Sequence, residues 1–219
     1  MEISKLSKLI TPSGTMAISN KARVLREQGK PVIGFGAGEP DFPTPEYVIK
    51  DVQAAAEDTS NHKYSPVAGL TILKEEIVRT SELYSGINVK QENVLVSNGG
   101  KHAILTTFMS ILNPGDEVLI PSPYWTTYPE AVKISGGNPV IVDTEFDDDF
   151  KINTDQLDSL KTSKTKVLVW VSPSNPTGVV YTKEEAEKIY NWAFENNVWI
   201  LSDELYEHLV YEGMTSPSP

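Results

Sequence analysis

The sequence predicts an α/β fold in which helices flank a mostly parallel β-sheet. Residues 166–208 read as a strand, a helix and a second strand. Three earlier apolar runs, at residues 94–97, 117–120 and 139–142, alternate with segments whose apolar residues recur at helical spacing. Such an alternation is typical of parallel sheets whose two faces are both covered by helices.

The strand–helix–strand unit can be followed residue by residue. Val167–Val171 is an unbroken apolar run rich in β-branched residues, as a strand buried on both faces requires. Thr182–Glu185 matches a capping box and predicts the start of the helix. Val198–Leu201 is a second buried strand, with Asp203 just past its carboxyl end. Because open α/β sheets bind ligands outside these ends, we expect Asn175 and Asp203 to face one site.

Composition limits the classes of function. The 219 residues carry a net charge of −11, which argues against nucleic acid or an anionic membrane as main partner, since both need a basic surface. Cysteine is absent and no pair of the three histidines has metal-ligand spacing, so no metal site is predicted. No apolar run approaches membrane length and no signal-peptide core is visible, so we expect a cytoplasmic protein.

The first part of the chain contains an arm, a short helix and a glycine-rich run. We assign residues 1–30 to the arm and helix, as part of a small domain, and residues 31–213 to a large domain. The run at 34–45 has the spacing GxGxG and is followed by prolines where a helix should open. A nicotinamide-binding site needs that helix, so the run does not favour one.

A glycine turn joins the predicted strand at 94–97 to a helix whose apolar face begins at Ile104. In this arrangement free backbone N–H groups and the positive end of the helix dipole point at a bound phosphate. We predict Gly99, Gly100 and Lys101 as the phosphate donors. A glycine turn between strand and helix is common in α/β proteins, and Lys101 is equally compatible with a solvated lysine.

Two motifs together resemble a known family. Residues 174–178 read Ser-Asn-Pro-Thr-Gly, and residues 202–208 read Ser-Asp-Glu-Leu-Tyr-Glu-His. Each alone is equally compatible with a turn or a helix cap. Found together after two buried strands, they resemble the pyridoxal-phosphate-dependent class I aminotransferase family of fold type I, and its aspartate and prephenate aminotransferases. The resemblance also makes Ser122–Pro123 and Asn175–Pro176 candidates for cis peptide bonds.

The resemblance implies a role toward pyridoxal 5'-phosphate for each matched residue. Asp203 would hold the ring nitrogen, while the Asn175 amide and the Tyr206 hydroxyl would bind the ring oxygen. Gly99–Lys101 would hold the phosphate. Trp125 would stack on the ring, although packing in the core is the commoner role of a single tryptophan.

Further residues are implied to contact the substrate or a second subunit. The backbone of Gly38 would donate to the substrate's α-carboxylate, and Trp125 and Asn175 would also line the substrate. Lys101 would attract the distal carboxylate of aspartate, glutamate or prephenate. Tyr64, in a Lys-Tyr-x-Pro-x-x-Gly segment, would reach the phosphate of the neighbouring subunit of a homodimer. A tyrosine on a surface loop is the alternative.

The family's Schiff-base lysine has no counterpart in this sequence. Transamination needs that lysine to hold the cofactor and to move the substrate proton. In the family it follows the next strand after the Asp-x-x-Tyr motif, whereas residues 214–219 are a short Ser/Pro tail. We therefore expect no catalytic residue of this kind in the chain, a large domain incomplete at its C-terminal end, and negligible transaminase activity for the isolated chain.

Three functions are compatible with these motifs. The first is a homodimeric aminotransferase that exchanges the amino group of aspartate or a related acidic amino acid with a 2-oxo acid. The second is a catalytically inactive cofactor-binding or interaction module. The third is another fold type I enzyme of the same cofactor, such as a C–S lyase or a decarboxylase. The Gly-Gly-Lys turn and the Tyr-Trp pair at 124–125 favour the first over the third.

Overall fold

The structure, a computed structural model, describes residues 2–12, 14–36, 38–39, 42–211, 213 and 216–218. Parts of the glycine-rich run and of the Ser/Pro tail therefore lie outside the described residues. The chain divides into two compact units, one of residues 12–73 and one of residues 1–11 together with 74–219. The assignment of residues 1–30 to a small domain stays a prediction.

A four-stranded parallel sheet forms the centre of the larger unit. Its strands are β1 (Glu117–Pro121), β2 (Asn138–Val142), β3 (Thr165–Val171) and β4 (Trp199–Asp203). They lie in the order β2-β1-β3-β4, and each neighbouring pair is parallel. The predicted α/β class with a parallel sheet is confirmed.

Helices cover both faces of this sheet. They are α5 (Gly100–Ile111) and α6 (Thr127–Ile134) on one face, and α7 (Thr154–Leu160) and α8 (Lys183–Glu195) on the other. The short α1 (Lys5–Leu9) belongs to the same unit and contacts α6. Because side chains of a strand alternate between faces, Leu168 and Trp170 of β3 join one hydrophobic cluster, whereas Val167 and Val169 join the other. The unbroken apolar run in the sequence reflects this burial on both sides.

The capping box of α8 forms as predicted. The Glu185 N–H donates to Thr182 Oγ1 at 3.2 Å, and the Thr182 N–H donates to Glu185 Oε2 at 2.7 Å. The helix ends at its C-cap Asn196, and Asn197 follows with φ of +54°, a left-handed conformation that asparagine tolerates well. Local sequence signals therefore fix both ends of this helix.

The predicted strand at 94–97 does not form among the described residues. A single 3₁₀ turn, Gln91–Asn93, precedes this segment. Among the described residues no neighbouring strand pairs with it, and Leu95 is exposed. A strand is stabilised by side-chain pairs across the ladder and by burial, so an apolar β-branched run alone does not form one.

The unit of residues 12–73 contains α2 (Gly14–Glu27), α3 (Glu46–Glu57) and the 3₁₀ turn Thr59–Asn61. Helix α4 (Thr71–Thr80) begins in this unit and continues into the larger one, where the π-helix Ser81–Ser85 follows it. Neither α2 nor α3 has a buried residue. Across the described residues, no helix combines the length and apolar character that crossing a bilayer requires.

Replacing the N-cap of α8 provides a test of the predicted capping box. Thr182→Ala removes the oxygen that accepts from the Glu185 N–H, so we expect the free energy of unfolding to fall by about 1 kcal/mol. Urea denaturation of both proteins measures the difference. Thr182→Ser keeps the hydroxyl and should lose much less, and equal losses in the two variants would contradict the capping role.

Candidate active site

Asn175 and Asp203 lie at the carboxyl ends of β3 and β4, at one edge of the sheet. All four strands are parallel, so their carboxyl ends meet there. The chain passes from β1 outward to β2 and then returns to β3 on the other side of β1. This change of direction separates the loops after β1 and β3 and opens a crevice between them.

The loops at this edge contain three cis peptide bonds. Ser122–Pro123 follows β1, and Ser172–Pro173 and Asn175–Pro176 follow β3. The first and third confirm the prediction from the resemblance, and the second was not predicted. All three lie within five residues of a strand's carboxyl end.

Asn175 and Tyr206 share a cleft in the loop region. The cleft has a volume of about 300 Å³, and its walls come from the loop after β3 and the turn after β4. Pro176 and Gly178 line it on the Asn175 side, and Leu209 on the Tyr206 side. The structure therefore brings together the two residues predicted to bind the same ring oxygen.

Asp203 is held in place by a buried tyrosine. The Tyr128 hydroxyl donates to Asp203 Oδ2 at 2.7 Å, and the Leu205 N–H donates to Oδ1 at 3.2 Å. Tyr128 is only 1% exposed, and this burial, reinforced by the charge of Asp203, raises the pKa of Tyr128 far above its ordinary value. Tyr128 therefore keeps its proton and acts as a fixed donor to the carboxylate.

The sequence reasoning did not identify Tyr128 as a site residue. None of the motifs that point to the site includes it. Two signals were available: Tyr128 follows Trp125 by three residues, about one helical turn, and a buried tyrosine hydroxyl normally has a hydrogen-bond partner. The neighbouring sequence does not reveal which residue that partner is, because Asp203 is 75 residues away in the chain.

The glycine turn before α5 presents two free backbone donors. Gly99 is the N-cap, with φ of +84°, and its own N–H donates to the Ser97 carbonyl at 2.9 Å. The Asn98 N–H donates to His102 Nδ1 at 3.1 Å. Within the described residues, the N–H groups of Gly100 and Lys101 have no acceptor. Of the three predicted phosphate donors, these two are therefore available, and Gly99 contributes the left-handed turn.

Lys101 and Trp125 contact each other at the start of α5. The Lys101 ammonium lies over the Trp125 indole, with Nζ 5.5 Å from the ring centroid. The indole in turn packs on Tyr128 in a T-shaped arrangement, with ring centroids 5.7 Å apart. A continuous series of contacts thus connects Lys101, Trp125, Tyr128 and Asp203.

Gly38 and Tyr64 belong to the unit of residues 12–73. Tyr64 is fully exposed, and a Cβ built on Gly38 would meet no atom within 4 Å. Their roles toward the substrate and a second subunit stay predictions. Among the residues that the structure describes, no group of His, Asp and Glu could hold a metal ion.

Comparison with known proteins shows what this chain is similar to. Residues 30–218 match the family model described as aminotransferase class I and II. An aspartate aminotransferase from Streptomyces avermitilis is 52% identical over 92% of this chain and 50% of its own length. A protein from Streptomyces griseus named probable aspartate aminotransferase is 46% identical over 90% of this chain and 92% of its own length.

Solved structures give the same result. The aspartate aminotransferase from Thermus thermophilus with maleate superposes with a TM-score of 0.93 at 40% identity, over 99% of this chain and 56% of that one. This chain thus spans about half the length of the Streptomyces avermitilis protein and of the Thermus thermophilus structure.

The raised pKa of Tyr128 predicts a loss of stability at high pH. An unfolded tyrosine ionises near pH 10, whereas folded Tyr128 ionises well above it. The stabilisation is complete below pH 10 and falls as the pH rises further, by about 1.4 kcal/mol per pH unit for one such group. In Tyr128→Phe the free energy of unfolding, measured by urea denaturation, should fall less steeply above pH 10 than in the wild type. The exposed Phe146 provides the control, because Phe146→Leu changes no titrating group and should leave the slope unchanged.

Proposed function

We propose that this chain, which belongs to the aminotransferase class I and II family, binds pyridoxal phosphate in an enzyme that transfers the amino group of an acidic amino acid to a 2-oxo acid. The observation that carries the proposal is the fixed carboxylate of Asp203, held by the buried Tyr128 at the carboxyl end of β4. The turn that directly follows Asp203 contributes Tyr206 to the cleft that Asn175 also lines.

The start of α5 fits a phosphate group. The N–H groups of Gly100 and Lys101 are free of protein acceptors in the described chain, and they stand at the positive end of a 12-residue helix. A Cβ built on Gly100 would meet no atom within 4 Å, so the space beside this backbone is open. The N–H groups of Gly100 and Lys101 would therefore hold the phosphate, and the left-handed turn at Gly99 would orient them.

The polar residues at the other strand ends suit the pyridine ring. Asp203 would pair with the protonated ring nitrogen, and Tyr206 and Asn175 would donate to the ring hydroxyl. Trp125 would cover the ring face. When bound, pyridoxal phosphate supplies an electron-withdrawing ring that stabilises the charge left by the departing α-proton of an amino acid.

Tyr128 contributes by keeping the Asp203 carboxylate oriented. Its phenol stays protonated and donates to Oδ2, while the Leu205 N–H occupies Oδ1. Each carboxylate oxygen retains a further lone pair for a cationic partner. A preorganised anion of this kind needs no rearrangement when it meets the ring nitrogen, which strengthens the interaction.

An acidic substrate is supported by the charge at Lys101 and by the similar proteins. Relatives at 52% and 46% identity are named as aspartate aminotransferases, and the Thermus thermophilus structure was solved with maleate, a dicarboxylate. A homodimer is part of the same proposal, with the exposed Tyr64 available to a second copy. A cytoplasmic location is also part of the proposal.

A binding titration tests the proposal directly. The absorption spectrum of pyridoxal phosphate should change on addition of the protein, at its full natural length, and should change again when aspartate is added. Binding without a response to any amino acid would indicate the catalytically inactive module instead. An unchanged spectrum and no retention of the cofactor on dialysis would refute the proposal.

Asp203→Ala tests most directly whether this carboxylate contacts the cofactor. Hydrogen bonds between charged groups contribute about 1.5–3 kcal/mol, so we expect the affinity for pyridoxal phosphate to fall by roughly tenfold or more. Asp155→Ala, at an exposed position in the first turn of α7, is the matched control and should bind normally. Similar affinities for the two variants would mean that Asp203 does not contact the cofactor.

A further inference from the structure

A second, smaller cavity lies between the loops that follow β1 and β3. Tyr124 lines it on the side of β1, and Trp170, Ser174 and Asn175 line it on the side of β3. The cavity has a volume of about 20 Å³. About 10–15 Å³ is enough for one water molecule, so the space suits a single water and no larger ligand.

Trp170 brings an unpaired hydrogen-bond donor to this cavity. The side chain is 1% exposed, and no described residue accepts from its indole N–H. An indole nitrogen can only donate, so it gains nothing from a neighbouring donor. Since burial of such a group without an acceptor costs free energy, buried indoles normally have a partner.

We propose that one ordered water molecule occupies the cavity, accepts a hydrogen bond from the Trp170 indole and donates one to the side-chain oxygen of Asn175. Trp170 is then a positioning residue, which acts on Asn175 through the water. The water site stands by itself, whereas its effect on cofactor binding rests on the proposed function and deepens it.

Asn175 lies where such a water can orient its side chain. It lines both this cavity and the cleft that it shares with Tyr206, and no described residue hydrogen-bonds its amide. A side-chain amide has an oxygen that accepts and a nitrogen that donates. When the water holds the oxygen, the nitrogen is left for the cleft, where the proposed function needs a donor to the ring oxygen of the cofactor.

Tyr181 supplies a second donor to the same cavity. Its oxygen accepts from the Ile152 N–H at 3.0 Å, and among the residues that the structure describes its proton has no acceptor. Burial raises the pKa of Tyr181 to about 12, so the phenol keeps this proton at neutral pH. Internal waters typically make about three hydrogen bonds, and Trp170, Tyr181 and Asn175 provide that number.

The water can be detected by NMR in the cofactor-free protein. It should give a cross peak to the Trp170 indole proton whose sign reverses between NOESY and ROESY spectra, as proton exchange with solvent would not. Trp170→Phe should remove this peak. Trp192 is the internal control, because it is also buried but its indole donates to Asp158 at 2.7 Å, so its proton should show no such peak.

A second measurement excludes a signal relayed by a protein hydroxyl. Oxygen-17 relaxation dispersion detects water alone, and it should count one long-lived water fewer in Trp170→Phe than in the wild type. The water site is overturned if the count is unchanged. It is also overturned if the Trp170 proton shows no water peak, as an N–H directed at the neighbouring Tyr190 ring would give.

A matched pair of cofactors tests the orientation of Asn175. One is pyridoxal phosphate, and the other is its deoxy analogue, which lacks only the ring hydroxyl. We expect the wild type to prefer pyridoxal phosphate, and Trp170→Phe to reduce that preference about two- to tenfold, the range for one hydrogen bond. Trp192→Phe should leave the preference unchanged. In an Asn175→Ala background, Trp170→Phe should have no further effect on it.

The outcomes separate this inference from the proposed function. If Trp170→Phe weakens both cofactors equally, or still changes the preference in the Asn175→Ala background, the positioning role is wrong even when pyridoxal phosphate binds. A protein that shows the water signal but binds neither cofactor would support the water site and refute the proposed function.

Discussion

The hydrogen bond from Tyr128 to Asp203 is the interaction on which the candidate site depends. Tyr128 lies in the helix that follows β1, and Asp203 ends β4, while β3 lies between these two strands in the sheet. The bond therefore spans the central strand and connects loops that the sheet alone would leave independent. Trp125 packs on Tyr128, and Lys101 lies over Trp125, so two further side chains are connected to this one contact.

Much of the fold could be predicted because its signals are local. The apolar run of β3 and the capping box of α8 depend on residues a few positions apart, and the structure shows both where the sequence predicts them. The segment at 94–97 has the same apolar character as β3 but no neighbouring strand in the described chain. Pairing is a property of two segments, so one segment cannot reveal it.

Those residues of the candidate site that belong to a recognisable sequence motif could be predicted. The order of strands and turns predicts that Asn175 and Asp203 lie at one edge, and the resemblance adds Tyr206. Asp203 ends β4, and Asn175 and Tyr206 line one cleft. Tyr128 was missed because its partner is distant in sequence and because a tyrosine on an apolar helix face usually belongs to the core. The contact of Lys101 with Trp125 depends on side-chain conformations that no spacing rule determines.

The burial of Tyr128 has a consequence for the durability of the site. Tyr128 belongs to the same hydrophobic cluster as Val167 and Val169 of β3, and its hydroxyl donates to Asp203. The orientation of the Asp203 carboxylate therefore persists as long as this cluster stays packed, so the site and the core share their stability.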